Sequence, residues 1–335
     1  MILRILAIGF ILVLAGCAES PVRTAGTMSS MEIIARDDRF ALVQLQPGQD
    51  FRTLASAFYQ NPLEAWQIKE VNARHTAQSG QVVAVPLQPV NPTSVYTDGF
   101  RTLPILCYHQ FTSNAETAHR LEVTARDFEK QIAYLVANDF QILSFADVTE
   151  IMRSGRPIPE KAVVITIDDG YRSIYDVAWP ILKKYNAKAT LFIYTDFVGA
   201  GTALKWDQLR DMAASGLIEI ESHAKSHSSL SQLPDDKNQA AYTARVVQEI
   251  SGSDAVFVRR LGKKPTHLSY PYGNSSAIAE NVAKQQGYDL AATVTRGDNA
   301  VFSNPYLLHR TMIYADHDIE KFAEFVRTYR RKNLP

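Results

Sequence analysis

The chain has 335 residues, 46% of them hydrophobic, and its 35 basic and 35 acidic side chains cancel. Balanced charge leaves no basic field to recruit nucleic acid, which excludes that class of partner. No long repeat, low-complexity tract or charge block interrupts the sequence, so a globular organisation is expected throughout most of it.

Arg4 precedes an apolar stretch from Ile5 to Leu14, too short to span a bilayer and of the length of a secretory signal. It ends in Leu14-Ala15-Gly16-Cys17, which resembles a bacterial lipobox. On that resemblance residues 1–16 are a signal peptide and Cys17 becomes the acylated N-terminus. More than one acyl chain would hold the protein stably on a membrane of the cell envelope. Ala18, rather than an acidic residue, points to the periplasmic face of the outer membrane. The other cysteine is Cys107, so with Cys17 lipidated no intramolecular disulfide is available. Residues 17–38 are polar and mixed, without sustained periodicity, and read as a flexible tether.

Ala41 to Leu45 is strand-like, Pro47-Gly48-Gln49 a turn, and Leu54, Ala55 and Phe58 start a short helix. Asn61 can cap a second helix with Pro62 at its first position, carrying Trp66 and Ile68 before Asn72. A last strand runs from Gln81 to Val85 and stops at Pro86. This β-α-α-β order over residues 39–88, with its PGQ turn and GQVVAVP ending, resembles a LysM module. The resemblance implies binding to chains containing N-acetylglucosamine, near the PGQ turn. Residues 89–102, with Pro92, Gly99 and polar neighbours, read as a linker.

From residue 103 onward, short apolar runs alternate with helical patterns such as Phe128/Ile132/Leu135, Ile278/Val282 and Ile319/Phe322/Val326. Repeated βα units predict a parallel sheet covered by helices, and about 230 residues suit one such domain. Lys161 to Ile167 (KAVVITI) is a buried strand by its β-branched content, which puts Asp168 and Asp169 at its C-terminal end. After Gly170, Ile174, Val177, Ala178 and Ile181 recur at helical spacing, with a kink expected at Pro180. Leu217 to Glu221 is a second strand, running into Ser222 and His223. In SHAKSH, His223 and His227 stand four apart, neighbours on one face if the segment turns helically. Two imidazoles and a carboxylate leave coordination positions open, the pattern of a catalytic divalent metal rather than a structural one.

Asp168-Asp169-Gly170, the pair His223 and His227, and Ser269 to Gly273 (SYPYG) resemble the signature segments of the polysaccharide deacetylases of carbohydrate esterase family four. The resemblance runs from about Pro104 to the C-terminus and takes in ILCYHQF around Cys107, DFEKQIAYL from Asp127 and LKWDQLRDMAASGLIEIESH from Leu204. It implies an α/β fold, an irregular (β/α)7 barrel over residues 103–335. It assigns Asp169, His223 and His227 to a divalent metal, zinc first, with cobalt, nickel or iron(II) as alternatives. Asp168 would be the general base, the Tyr272 backbone amide an oxyanion donor, and Pro271 and Tyr272 contacts to substrate.

Two family features are missing. The arginine usual at the start of the third segment is Ser269, and no Asp-Trp pair occurs in Thr295 to Ala300 (TRGDNA). Arg310 is the substitute cation expected beside the base. The proton donor to the leaving amine could be the late His309 in LLHR or the early His109, which closes the first strand after Leu106, Cys107 and Tyr108. Some exopolysaccharide deacetylases of this family use an early YH histidine, and His109 is favoured on that ground.

The expected activity is hydrolysis of N-acetyl groups on an N-acetylglucosamine-containing polysaccharide. The LysM-like module favours peptidoglycan, the YH pattern and lipid anchor an exopolysaccharide. A non-catalytic glycan-binding envelope lipoprotein is the alternative.

Overall fold

The computed structural model describes residues 31–73, 76–114, 116 and 119–331, so the expected signal peptide and Cys17 lie outside the described residues. Strand β1 (Glu32–Arg36) pairs antiparallel with β2 (Phe40–Gln44). Part of the segment read as a tether is therefore a strand. All five β1 residues are exposed, so no burial pattern marks it, and its register comes from the turn, where the Asp37 carboxylate accepts from the Arg39 and Phe40 amides at 2.7 Å each. Helix α1 (Phe51–Tyr59) is capped by Asp50, which accepts from the Thr53 amide at 2.8 Å. The Asn61 side chain accepts from the Leu63 amide and opens a 3-10 turn, Pro62–Glu64, ahead of α2 (Ala65–Val71). Strand β3 (Val82–Pro86) closes the module against β2. The order is thus β-β-α-α-β rather than β-α-α-β. Val43, Leu54, Ile68 and Val83 fill its core. Asn72 ties helix to sheet, since its amide donates to Ile68 O and Ala84 O and accepts from the Ala84 amide.

Residues 89–102 are not a free linker. They contain β4 (Val95–Tyr96) and β5 (Gly99–Arg101), an antiparallel hairpin. Next come β6 (Ile105–Tyr108) and the short parallel pair β7 (Gln110–Thr112) and β8 (Glu122–Thr124). Helix α3 (Ala125–Ala137), capped by Thr124, leads to β9 (Gln141–Leu143), and α4 (Phe145–Ser154) starts in a capping box formed by Ser144 and Asp147. Strand β10 (Ala162–Asp169) is followed by a π turn over Ile174–Ala178 and then α5 (Trp179–Lys184). Pro180 sits in the first turn of α5, so the irregularity precedes it instead of forming at it. Strand β11 (Ala189–Ile193), α6 (Trp206–Ala214), β12 (Ile218–Ser222), α7 (Gln239–Leu261), β13 (His267–Ser269), α8 (Ala277–Gln285) and β14 (Leu290–Ala292) continue the alternation. The chain ends in β15 (Thr311–Met312), α9 (Ile319–Phe325) and β16 (Tyr329–Arg331), the last pairing antiparallel with β5. Among the described residues no helix is long and apolar enough to cross a membrane.

The large sheet is parallel, in the order β14-β13-β12-β11-β10-β6-β15, with β9 beside β10. It curls so far that its ends touch through a parallel bridge between Ala292 and Leu308, consistent with a (β/α)7 barrel. Alternation sorts each strand into two layers. On β10, Ile165 and Ile167 join the apolar layer under the helices, with Leu106, Phe128 and Trp179. Val164 faces inward to an apolar plug with Phe145, Val148 and Phe192, while Thr166 and Asp168, on the same face, form a polar layer above it. Apolar strand beginnings and polar strand ends place the chemistry at one mouth.

The N-terminal module docks at the other end, where the strands begin. The Arg101 guanidinium lies 4.4 Å over the Trp66 ring and 5.2 Å over Tyr96, and it pairs with Glu70 at 3.1 Å. Arg52 pairs with Asp139 at 3.0 Å, and Gln141 donates to Glu64 at 3.1 Å.

Candidate active site and metal-ligand group

Four parallel strands deliver the polar groups. His109 follows β6, Asp168 and Asp169 end β10, His223 follows β12, and Ser269 ends β13 ahead of Tyr272. Asp169 has φ 75°, and Gly170 after it φ 93°. That left-handed turn frees Asp169 from strict alternation and lets both carboxylates serve one mouth. SHAKSH does not turn helically. Ala224 and His227 take φ of 64° and 65°, and this irregular loop still brings the two imidazole rings within 4.8 Å.

Asp169, His223 and His227 form one group, with a ligand atom from each lying within 4.8 Å of the others. Asp169 Oδ1 is 3.6 Å from His223 Nε2 and 3.4 Å from His227 Nε2. His223 Nδ1 donates to Ser269 O at 2.7 Å, which leaves its Nε2 as the lone-pair nitrogen facing Asp169. Burial lowers the pKa of both imidazoles, His223 to about 4, so both are neutral and ligand-competent. Burial, then the neighbouring Asp168, pushes Asp169 up to about 7. Its Oδ1 is buried without a hydrogen-bond partner. An orphaned carboxylate oxygen facing two neutral imidazoles fits a divalent cation, which would supply the missing charge.

Asp168 sits beside that group in a different environment. Burial raises its carboxyl, but the Arg310 guanidinium, then His223, outweigh that and hold it well below the usual range. Arg310 is fully buried and makes a two-pronged bond, Nη1 to Oδ1 and Nη2 to Oδ2, each 2.7 Å. Its remaining donors go to Thr293 O, Thr166 Oγ1 and Ser269 Oγ. Ser269 Oγ in turn donates to Asp168 Oδ2 at 3.1 Å. The guanidinium thus arrives from the strand at β15, and the serine where the arginine was missing is one of its acceptors.

His109 reaches the same cluster. One ligand atom each of Cys107, His109 and Asp168 lie within 4.8 Å of one another, and His109 Nδ1 is buried without a partner. Burial lowers the His109 pKa, with Asp168 pulling the other way. His309 is not brought into either metal-capable group found among the described residues. Alternation turns it away from neighbouring Arg310, and its ring lies so close to Gly297 that a Cβ there would run into it. Cys107 also lies at the base, with Sγ 3.7 Å from Asp168 Oδ2, a position its apolar strand context does not announce. The alternation of Ile105 and Cys107 on β6, continued to His109 just beyond it, is the signal that finds it. Tyr272 holds φ 59° in the turn after β13, is 63% exposed, and has its ring centroid 4.5 Å from that of His227. Pro271, in the same turn, is buried.

Comparisons with known proteins bear on the family and the fold. The family described as polysaccharide deacetylase matches residues 155–291. A protein of Bacillus subtilis (strain 168), YxkH, whose name assigns it to the polysaccharide deacetylases, is 30% identical over 226 residues, 68% of this chain and 76% of that one. This chain belongs to the polysaccharide deacetylase family. Poly-beta-1,6-N-acetyl-D-glucosamine N-deacetylases of Escherichia coli (strain K12) and Staphylococcus aureus (strain MRSA252) are each 28% identical, over 68% and 64% of this chain. The matched part is 39% of the E. coli protein and 77% of the S. aureus one. Among solved structures, a de-N-acetylase from Aggregatibacter actinomycetemcomitans is 26% identical with a TM-score of 0.60, covering 67% of this chain and 99% of that one. IcaB from Ammonifex degensii shares the fold at 24% identity and a TM-score of 0.61, over 69% and 99%. As a family member the chain is a deacetylase, a hydrolase.

Proposed function

We propose that this protein hydrolyses the N-acetyl groups of an N-acetylglucosamine polysaccharide, of the poly-β-1,6-linked kind, releasing acetate and leaving free amines on the polymer. The observation that carries the reading is the pairing of an orphaned Asp169 with two neutral imidazoles, beside an Asp168 clamped by Arg310. Asp169, His223 and His227 are the residues that would hold the metal, zinc by their N,N,O donor set. Such a cation, when bound, polarises the acetamide carbonyl and lowers the pKa of water.

The chain's own residues divide the proton work. Asp168 takes a proton from the attacking water. Arg310 fixes the carboxylate's direction for that transfer. The Tyr272 amide donates to the carbonyl oxygen as charge develops there, with Pro271 setting the turn. His109 gives a proton to the amide nitrogen as the C–N bond breaks, so water adds across the bond and acetate and amine depart.

The remaining assignments complete the reading. Residues 39–88 are a LysM-like glycan-binding module, and acylated Cys17 behind a signal peptide anchors the protein to the cell envelope, on the periplasmic face of an outer membrane where the cell has one. The module favours the alternative substrate, peptidoglycan. Acetate release measured side by side on poly-β-1,6-N-acetylglucosamine and on purified peptidoglycan, with zinc-loaded protein, tests the choice. Release from the first alone is expected, release from peptidoglycan alone reverses the substrate, and release from neither refutes the activity.

A further inference from the structure

A cavity of about 310 Å³ opens where the segment entering β6 meets the loop after β14, the start of β15 and the end of α9. None of Asp168, Asp169, His223 or His227 lines it. Leu103, Pro104 and Phe325 give it an apolar wall, and three arginines, Arg296, Arg327 and Arg330, stand on it with a single acid, Asp298. Arg330 answers that acid, Nε to Oδ1 at 2.6 Å, and Glu324, near the end of α9, pairs with Lys321 at 3.0 Å. The Arg296 and Arg327 guanidiniums make no ion pair or hydrogen bond among the described residues. Arg296 is held instead by the Phe325 ring, its Cζ 5.0 Å from the ring centre. Acidic and basic residues cancel over the chain as a whole, so the two uncompensated charges are a local surplus gathered on one cavity.

A surplus of two guanidiniums calls for an anion of more than one charge that can accept from both. A phosphate has tetrahedrally placed oxygens for several forks at once, whereas one carboxylate is satisfied by one fork. The cavity is larger than a phosphate alone fills, and its apolar wall suits the carbon part of an ester. We propose that this cavity binds a phosphate ester, its phosphate held by Arg296 and Arg327 and its carbon part lying against Leu103, Pro104 and Phe325. Glycerol phosphate is a small ester of this class, free or as the headgroup of a phospholipid. The site stands apart from the deacetylase reading, because it uses none of the residues assigned to metal, base or oxyanion.

Isothermal titration calorimetry of the full chain with glycerol 1-phosphate at low salt is expected to give a Kd of about 1 mM or tighter, with inorganic phosphate binding more weakly and high salt weakening both. Arg296→Ala and Arg327→Ala should each raise the Kd by about tenfold or more, while Arg259→Ala, on α7 and outside the cavity, leaves it unchanged. Both cavity variants truncate exposed side chains, and either decides the matter if the other fails to fold. Dihexanoyl phosphatidylglycerol, a water-soluble lipid, distinguishes the sources of the ester. Binding tighter than that of glycerol phosphate assigns the cavity to a lipid headgroup, and weaker binding assigns it to a soluble ester. The proposal is overturned if neither ester binds, if inorganic phosphate binds as tightly as glycerol phosphate, if the two cavity variants bind like the wild type, or if Arg259→Ala weakens binding as much as they do, which would make the effect one of net charge alone.

Discussion

Arg310 and Asp168 show how far a single buried pair can shape a site. The guanidinium is wholly enclosed, and every direction it points finds an acceptor, so the carboxylate it holds has one orientation. Removing one partner of such a pair leaves the other charge buried and uncompensated. Arg310→Ala is therefore expected to destabilise the protein by about 3–5 kcal/mol, measured by denaturant unfolding, besides losing activity. For the metal group, His223→Ala or His227→Ala should abolish metal binding and turnover while circular dichroism keeps most of the fold. Full activity in a metal-free His227→Ala protein would contradict the ligand set. The histidines next to these groups separate by position. His109→Ala should cut turnover by about 100-fold with metal retained, and His309→Ala far less, because only His109 shares the cluster with Asp168. The reverse ranking, with metal content equal, would make His309 the proton donor.

At the level of elements, the decisive pieces are strand ends that leave regular geometry. The β10 end is turned by Asp169 and Gly170, and the β13 end by Tyr272 and Gly273, all at positive φ. Gly273 is tightly placed. A Cβ there would meet the backbone nitrogen and side chain of Val294, and its φ of 72° disfavours any other residue. Gly273→Ala should therefore displace the Tyr272 amide and lower kcat without removing metal, which kinetics with metal analysis would show. A variant of normal kcat would mean that the Tyr272 amide takes no part. Helices, by contrast, do supporting work, and each of α3, α4, α7 and α8 is opened by a side-chain cap, at Thr124, Ser144, Asn238 and Ser276.

On the scale of the whole molecule, the N-terminal module and the barrel are joined by more than a connecting segment. Arg101 lies over the rings of Trp66 and Tyr96 and pairs with Glu70, all largely out of solvent. A desolvated cation–π contact of this kind contributes about 2 kcal/mol, so Arg101→Ala should split one calorimetric unfolding transition into two. A single transition in the variant would show that the other contacts suffice. The docking end is opposite the catalytic mouth. Glycan held by the module, as proposed, would be a different stretch from the one being deacetylated, with the module an anchor on the polymer. Cys17→Ser should release the protein from membranes, followed by fractionation. Unchanged retention would mean that the apolar N-terminus is itself an uncleaved anchor.

Much of this was legible in one dimension. Local pattern pointed to the parallel α/β class, the end of β10 and a small N-terminal module, because period and turn residues are local properties of the chain, and it was the family resemblance that pointed to Asp169, His223 and His227. The segment 32–36 is not legible as a strand because an edge strand exposed on both faces has no burial period. Gly99–Arg101 reads as linker because one of its strand partners, Tyr329–Arg331, lies at the far end of the chain. The same reason separates His109 from His309 and gives Arg310 its partner. Which side chain meets Asp168 depends on which strands the barrel sets side by side and on which of two alternating neighbours faces inward. Arg310 and Asp168 are 142 residues apart in sequence and 2.7 Å apart in space. Composition and motif determined what kinds of groups were present, and only the closing of the sheet decided which of them touch.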